Sequence, residues 1–205
     1  MAIVATEADY DRAVATIVDA FHRDPLWAWI CPDPLRRREQ HAEIFGLYVE
    51  SALPNEGVWM ADESGSAVAV FTPPGLPELS ERAEARLEAL ITDRLGAHGP
   101  AVLETFERFE AAVPVGRSFY YLSFLATDPA SRGRGLGMGL LAELAGLADR
   151  TGRPTYLEST NPDNDRRYRR LGFEARGRFA TPDDLHKVTT MWREPRAAAD
   201  PRVSR

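Results

Sequence analysis

The feature that most constrains the fold is an apolar run at residues 119–127, which leads into a glycine-rich segment and then a leucine-rich one. Only Ser123 and Thr127 are polar in this run, and a strand that is buried on both faces of a sheet has such a composition. The leucines of the last segment recur at helical spacing: Leu136, Leu140, Leu141, Leu144 and Leu147. Together the three segments predict a buried strand, a turn and a helix at the centre of the protein.

Apolar periodicity and turn residues predict further elements on both sides of this unit. We expect helices at residues 10–24, 35–53, 78–95, 100–112, 135–150 and 162–171. We expect strands at residues 2–5, 57–61, 67–71, 119–127, 155–158, 172–179 and 186–193, and an irregular loop at 27–34. The sequence therefore predicts one α+β domain over residues 1–194, followed by a disordered tail at 195–205.

Composition and charge exclude several classes of protein. Of the 205 residues, 44% are hydrophobic and 27% are charged, which is close to the average of soluble globular proteins. This excludes a largely disordered chain, a collagen-like fibre and a membrane bundle. The net charge of −6 disfavours binding to nucleic acid or to an anionic membrane, because both depend on basic side chains that meet negatively charged groups.

Cysteine, histidine and the N-terminal residues add further expectations. The lone Cys31 allows no intrachain disulfide and no cysteine pair for zinc. The four histidines show no metal-ligand spacing, so we expect no metal and place them at the surface or at an interface: His22, His41, His98 and His186. The first ten residues lack the basic segment of a signal peptide, and no run of about 18 apolar residues occurs, so we expect a cytoplasmic protein.

The segment Arg132–Gly139, with the sequence RGRGLGMG, carries glycine at every second position. Glycine is costly in regular elements, so this pattern indicates a backbone that a ligand approaches closely. A helix N-terminus with two flanking arginines favours a phosphate or pyrophosphate. The segment lacks the Gly-Lys-Ser/Thr ending of a P-loop and the Gly-x-Gly-x-x-Gly spacing of dinucleotide sites. A glycine-rich turn without a ligand remains the alternative.

Two motifs together resemble the GCN5-related N-acetyltransferase (GNAT) superfamily. The pattern Arg132-x-x-Gly135-x-Gly137, after a strand that ends in Asp-Pro, resembles the loop that binds the acyl-CoA pyrophosphate in that family. The segment 157–164 (LESTNPDN), followed by Tyr168 and the Leu-Gly-Phe sequence at 171–173, is similar to the family's second signature. The layout of the N-terminal half is similar to the branch that includes puromycin N-acetyltransferase.

The resemblance implies a fold and a place for acetyl-CoA. It implies a mixed, mostly antiparallel central sheet with helices on both faces and one splayed parallel pair, formed by residues 119–127 and 154–159. The pantetheine arm would pair with the backbone of the first strand at Leu125, Ala126 and Thr127. The pyrophosphate would take backbone N–H groups from the glycine-rich segment: Arg132, Gly133, Arg134, Gly135, Leu136, Gly137, Met138 and Gly139.

The second motif supplies the implied catalytic residues. Tyr168 would be the general acid that protonates the leaving CoA thiolate, because a phenol and a thiol have neighbouring pKa values; packing against nearby apolar residues is its alternative role. Glu158 is a candidate proton acceptor, with backbone carbonyls and a water chain as the alternative. Asn161 is a candidate helix N-cap, a CoA contact, or both, and Asn164 is a candidate CoA contact.

Aromatic side chains from the first two helices, the loop between them and the strand ends would form the acceptor pocket, which favours a large, partly apolar amine. The candidates are Phe21, Trp27, Trp29, Tyr120 and Tyr121, each of which could instead belong to the core. The resemblance implies direct transfer of an acetyl group from acetyl-CoA to a primary amine of a small molecule, antibiotics included, by a protein that could be a homodimer. The alternatives are a protein or peptide amine as acceptor, a non-catalytic CoA-binding domain, and a phosphate-binding module unrelated to CoA.

Overall fold

The computed structural model describes residues 1–196, which form a seven-stranded sheet with helices on both faces. The strands are β1 (Ile3–Val4), β2 (Val58–Met60), β3 (Ala67–Thr72), β4 (Tyr120–Thr127), β5 (Thr155–Ser159), β6 (Glu174–Ala180) and β7 (Lys187–Arg193). The α-helices are α1 (Tyr10–Phe21), α2 (Pro25–Ile30), α3 (Arg37–Ala52), α4 (Glu81–Arg94), α5 (Gly99–Ala112), α6 (Leu136–Thr151) and α7 (Pro162–Arg170).

The strand order is β1-β2-β3-β4-β5-β7-β6, and within the described residues all neighbours are antiparallel except β4 and β5. The parallel pairing covers three positions, from Tyr120 opposite Thr155 to Leu122 opposite Leu157. Beyond Leu122, β4 continues for five residues without a partner on that side. The predicted mixed, mostly antiparallel sheet with one splayed parallel pair is confirmed.

A β-bulge at Ser123 explains why the parallel strands separate. Val70 of β3 lies opposite Phe124, and the next residue, Phe71, lies opposite Leu122, so Ser123 has no partner on β3. Residues two apart in a regular strand point to the same face, but the extra residue places Leu122 and Phe124 on opposite faces of the sheet. Leu122 packs in the core beneath α6, whereas Phe124 packs in the core beneath α1 and α3. A bulge also increases the local twist of a strand, which turns β4 away from β5.

Two predicted elements, and the predicted position of one histidine, were wrong. Residues 27–34 do not form one irregular loop, because α2 covers Pro25–Ile30; the Asp24 carboxylate accepts from the Leu26 and Trp27 amides at 3.1 and 3.2 Å, and the proline fits the first helical turn. The helix predicted from residue 78 begins at Glu81, since the Ser80 hydroxyl caps it by accepting from the Ala83 amide at 3.3 Å.

His41 is also misplaced by the sequence prediction. It is fully buried in the core, and its Nε2 lies 3.1 Å from the Trp27 carbonyl oxygen. Of the predicted tail at 195–205, the structure describes the first two residues, and the amide of Arg196 donates to the Asp149 carboxylate at 2.6 Å. The rest of that tail lies outside the described residues.

Candidate active site

A cleft of ≈ 1580 Å³ opens where β4 and β5 separate. One end is lined by the glycine-rich loop and the start of α6, and the other by α4 and α5. The fork between the strands lies between these ends and contributes Leu125, Leu157 and Glu158 to the lining. The cleft is therefore large enough to hold two small-molecule ligands at once.

The glycine-rich loop is shaped for an anionic group. Gly133 and Gly135 adopt left-handed conformations, with φ of +82° and +78°, which glycine adopts at little cost. Gly135 precedes α6, and no side chain among residues 1–196 caps this helix. Because the first intrahelical bond comes from the Gly139 amide, the first-turn N–H groups stay available, and the helix dipole adds positive charge to them.

Two arginines add charge to the same end of the cleft. Arg132 lines the cleft and donates to the Ala20 carbonyl at 3.1 Å, which connects the loop to the end of α1. Arg167 also lines the cleft and donates to the Asn164 side chain at 3.0 Å. The loop, the helix terminus and these guanidinium groups form a site that a pyrophosphate would fit.

The open edge of β4 lies next to this site. Leu125, Ala126 and Thr127 pair with β3 on one side, and on the other side β5 has already diverged. Leu125 and Thr127 line the cleft, whereas the Ala126 side chain is buried in the opposite core. Backbone groups on this edge are placed to pair with an extended ligand.

Tyr168 of α7 is brought to the cleft from the other side of the fork. Its ring lies 6.3 Å from that of Phe173 and packs against the core beneath α6. Burial, with a smaller contribution from Asp165, raises the pKa of Tyr168 to about 12. The phenol therefore stays protonated at neutral pH. Asn161 is the N-cap of α7, where its Oδ1 accepts from the Asp163 amide at 3.0 Å, and it also lines the cleft.

Two carboxylates lie at the acceptor end of the fork. Glu158 stands near the end of β5, and Glu78 lies in the segment between β3 and α4. Burial raises the pKa of Glu78 to about 7, and the nearby Ser123 hydroxyl opposes this shift. Burial, and next the repulsion from Glu78, raise the pKa of Glu158 to about 8, whereas Tyr156 and Tyr121 lower it. The two groups therefore hold protons at pH values where ordinary carboxyls are ionised.

The structure brings together some of the predicted acceptor residues and not others. Phe21, Trp27 and Tyr121 line the cleft, and the Phe21 and Trp27 rings lie 6.3 Å apart. Tyr120 faces the core beneath α6, because neighbouring residues of a strand alternate between faces, and its hydroxyl accepts from Thr151 at 3.4 Å. Trp29 points away from the cleft and donates through Nε1 to Asp183 at 2.7 Å.

Most of the residues predicted to bind acetyl-CoA lie at the end of the cleft that the glycine-rich loop lines. Those that line the cleft are Leu125, Thr127, Arg132, Gly133, Gly135, Leu136, Gly137, Met138, Asn161 and Asn164, together with Tyr168 and Glu158. Arg134 and Gly139 belong to the same loop and helix but do not line the cleft.

Sequence reasoning missed Glu78 and the role of Ser123. Glu78 was placed at the start of a helix, whereas the helix begins three residues later. A single signal was available: an acidic residue directly after Pro77, in a segment too rich in proline and glycine for a helix. Ser123 is a polar residue in an otherwise apolar strand, and this interruption coincides with the β-bulge.

A mixed sheet that splits at the parallel pair β4–β5, with a glycine-rich helix terminus at the split, defines a class of site for an extended anionic ligand. The model of the acetyltransferase (GNAT) family matches residues 75–173. An uncharacterised N-acetyltransferase of Schizosaccharomyces pombe is 25% identical over 95% of this chain and 84% of its own length. The matched segment contains the glycine-rich loop, both strands of the fork and Tyr168, so the predicted resemblance to the GNAT superfamily is confirmed for the part of the chain that forms the cleft.

Solved structures show the same fold. A histone acetyltransferase HPA2 and related acetyltransferase from Corynebacterium glutamicum is 25% identical, with a TM-score of 0.69 over 98% of both chains. Arylalkylamine N-acetyltransferase 2 from Aedes aegypti is 15% identical, with a TM-score of 0.66 over 96% of this chain and 99% of its own. Within residues 1–196, no group of three or more His, Cys, Asp or Glu could hold a metal ion. No helix in the described part of the chain is long and apolar enough to cross a membrane.

Proposed function

We propose that the protein transfers an acetyl group from acetyl-CoA directly to a primary amine of a small molecule, with both substrates bound at once. The observation that carries the proposal is the cleft itself, since one opening holds a phosphate-binding terminus, an open strand edge and a pair of carboxylates. The pyrophosphate binds the loop 132–137, and the pantetheine arm pairs with the backbone of residues 125–127. The thioester then lies at the fork, between Tyr168 and Glu158.

The chemistry follows from these two side chains. Glu158, in its ionised form, takes a proton from the ammonium form of the substrate, and the freed nitrogen lone pair attacks the thioester carbonyl carbon. The C–N bond forms, the C–S bond breaks, and Tyr168 donates its proton to the leaving thiolate. The nitrogen then loses a second proton, which solvent carries to the deprotonated Tyr168. The proton taken by Glu158 is released to solvent, so that one proton is released per turnover. The route needs no covalent acyl-enzyme. Burial raises the pKa of the Cys31 thiol to about 12, which leaves it unreactive.

A lysine of a peptide or protein is the second candidate acceptor. Four exposed carboxylates line the outer part of the cleft, and an acidic opening favours a basic peptide: Glu84, Glu88, Glu107 and Glu110. The aromatic inner wall of Phe21, Trp27 and Tyr121 favours a compact, partly apolar amine instead.

Thermal unfolding with acetyl-CoA, CoA, NADH and ATP tests the donor site. At about 100 times its dissociation constant, a ligand adds about 2.7 kcal/mol to the free energy of unfolding, which raises Tm by about 2–4 °C for a protein of this size. We expect acetyl-CoA and CoA to raise Tm, and NADH and ATP to do so less. A panel of small amines and a lysine-containing peptide, followed by thiol release, then tests the acceptor. No shift with either CoA ligand would overturn the proposal.

A further inference from the structure

The acceptor end of the cleft holds two carboxylates that have no cationic partner. Glu78 comes from the segment before α4 and Glu158 from β5, so the fold brings them together from distant parts of the sequence. Neither forms a salt bridge with any residue in 1–196. The Oε1 atom of Glu158 is shut off from solvent and accepts no hydrogen bond from any described residue.

An arrangement of this kind is costly unless a ligand relieves it. Glu78 and Glu158 are half-buried, and a carboxylate that loses part of its hydration without gaining a partner is destabilised in its charged form. Here the repulsion between the two groups adds to that cost. Among the described residues, the titratable groups that face the pair are three tyrosines and no cation: Tyr48 of α3, Tyr121 of β4 and Tyr156 of β5. Glu84 of α4 in turn acts on Tyr48. A ligand that brings a positive charge and several N–H donors would meet every unmet requirement of the site.

Three hydroxyl groups around the pair reduce the rise in carboxyl pKa that burial causes, without cancelling it. The Ser123 hydroxyl, left without a strand partner by the bulge, lowers the pKa of Glu78, and the Tyr156 and Tyr121 hydroxyls lower that of Glu158. These hydroxyls offset part of the cost of burial without neutralising the carboxylates. A bound cation would lower both pKa values further, so the pair ionises as the ammonium group binds.

The outer part of the cleft would guide a cation toward this pair. Glu84 and Glu88 of α4 and Glu107 and Glu110 of α5 line the same end of the cleft. None of these four carboxylates forms a salt bridge among the described residues. Charges of one sign along a cleft raise the local concentration of an oppositely charged substrate.

We propose that Glu78 and Glu158 together bind the acceptor as an ammonium ion, so that the substrates are strongly basic aliphatic amines and not weakly basic aromatic ones. This inference rests on the proposed function. Glu78 holds one N–H of the ammonium group while Glu158 takes the proton: an N–H bond breaks, its electron pair stays on nitrogen, and the proton passes to a carboxylate oxygen. The freed lone pair then attacks the thioester.

Cyclohexylamine and aniline form a matched pair of probes, since they have nearly the same shape but only the first is protonated at neutral pH. We expect Glu78→Gln to lower kcat/KM for cyclohexylamine by about 10- to 100-fold, because a hydrogen bond to a charged group is lost. The same substitution leaves kcat/KM for aniline within about twofold. The control Glu63→Gln, at an exposed carboxylate outside the cleft, changes kcat/KM for neither amine by more than about twofold.

The pH profile gives a second readout that a purely structural role would not move. Repulsion from Glu78 raises the pKa of Glu158, so Glu78→Gln shifts the acid limb of kcat/KM to lower pH. An equal loss of kcat/KM for both amines, or an acid limb that stays at the same pH, would overturn the inference.

A binding measurement separates this inference from the proposed function. In the presence of CoA, cyclohexylamine at pH 7 should raise Tm of the wild-type protein and of Glu63→Gln but not of Glu78→Gln. If no amine releases CoA, the proposed function fails, yet the ammonium site is still decided by this shift. If Glu78→Gln fails to fold, Ser123→Ala replaces it. We expect this variant to lower kcat/KM for cyclohexylamine by a smaller factor than Glu78→Gln would and to leave kcat/KM for aniline unchanged. An equal change in kcat/KM for the two amines would count against the site.

Discussion

Gly137 packs so closely against Thr127 that a β-carbon added to the glycine would lie 2.7 Å from the threonine hydroxyl oxygen. This contact fixes the distance between the first turn of α6 and the end of β4. Because the turn follows the glycine-rich loop and the strand end forms the open edge of the fork, the contact sets the phosphate site relative to the pantetheine site.

Gly137→Ala should therefore weaken acetyl-CoA binding. The added methyl group must displace the threonine or the helix, and such overpacking costs about 1–3 kcal/mol, which corresponds to a KM for acetyl-CoA raised by about fivefold or more. The matched control is Gly139→Ala in the same helix, where an added β-carbon meets nothing within 4 Å. It should leave KM unchanged and raise Tm slightly, since alanine is the better helix former. Equal effects of the two substitutions would contradict this account.

Tyr168→Phe should lower kcat by about 10²-fold or more, because the leaving thiolate loses its proton donor. The affinity for CoA, measured from the shift in Tm, should stay unchanged, because the phenylalanine ring would still pack against Phe173. Tyr10→Phe, on α1 and outside the cleft, is the control and should keep full turnover. A Tyr168→Phe protein with the wild-type kcat would remove the tyrosine from the mechanism.

The fold was largely predictable because its elements carry local signals. The apolar run at β4, the leucine periodicity of α6 and the glycine that ends that helix each report a local requirement. The short helix α2 was missed because its evidence lies in a capping contact: Asp24 and Pro25 together form a helix start, whereas each residue alone signals a turn. His41 was misplaced because its burial depends on tertiary packing against Trp27.

The donor half of the candidate site was more predictable than the acceptor half for a physical reason. The phosphate loop is one continuous segment, so its glycines are read directly from the sequence. The acceptor end is assembled from separate segments, and the encounter of Glu78 with Glu158 depends on the bulge at Ser123 and on the path of the chain before α4. No pattern within either segment encodes that encounter.

The raised pKa of Glu158 predicts a pH-dependent cost to stability. Its carboxyl has a pKa of about 8 in the folded protein and about 4.5 when unfolded. Between these values the unfolded state is ionised while the folded state keeps its proton, so the free energy of unfolding falls as pH rises. Glu158→Gln removes this loss and should be more stable than wild type at pH 8, by on the order of 3 kcal/mol, but not at pH 4.5.

Melting temperatures of the wild type and Glu158→Gln, measured from pH 4.5 to pH 8, test this dependence. The control Glu110→Gln concerns an exposed carboxyl and should differ from wild type by the same small amount at every pH. A constant offset between Glu158→Gln and wild type would mean that the folded protein does not hold the Glu158 proton in this range.

An ion pair between Asp149 and Arg193 joins α6 to β7. The Arg193 guanidinium is only 4% exposed and donates to both oxygens of Asp149, at 2.8 and 2.7 Å, and its Nε donates to the Leu171 carbonyl at 2.8 Å. Because Asp149→Asn leaves the arginine buried with its charge unmet, unfolding should become easier by about 3–5 kcal/mol.

The exposed pair of Arg117 and Glu194 offers the matched comparison. Its distance, 2.7 Å, is the same, but its side chains are 55% and 50% exposed. Glu194→Gln should therefore cost about 1 kcal/mol or less, because water already solvates both charges. Denaturant unfolding of the two variants measures the contrast directly, and equal losses would show that burial of Arg193 does not set the strength of the pair.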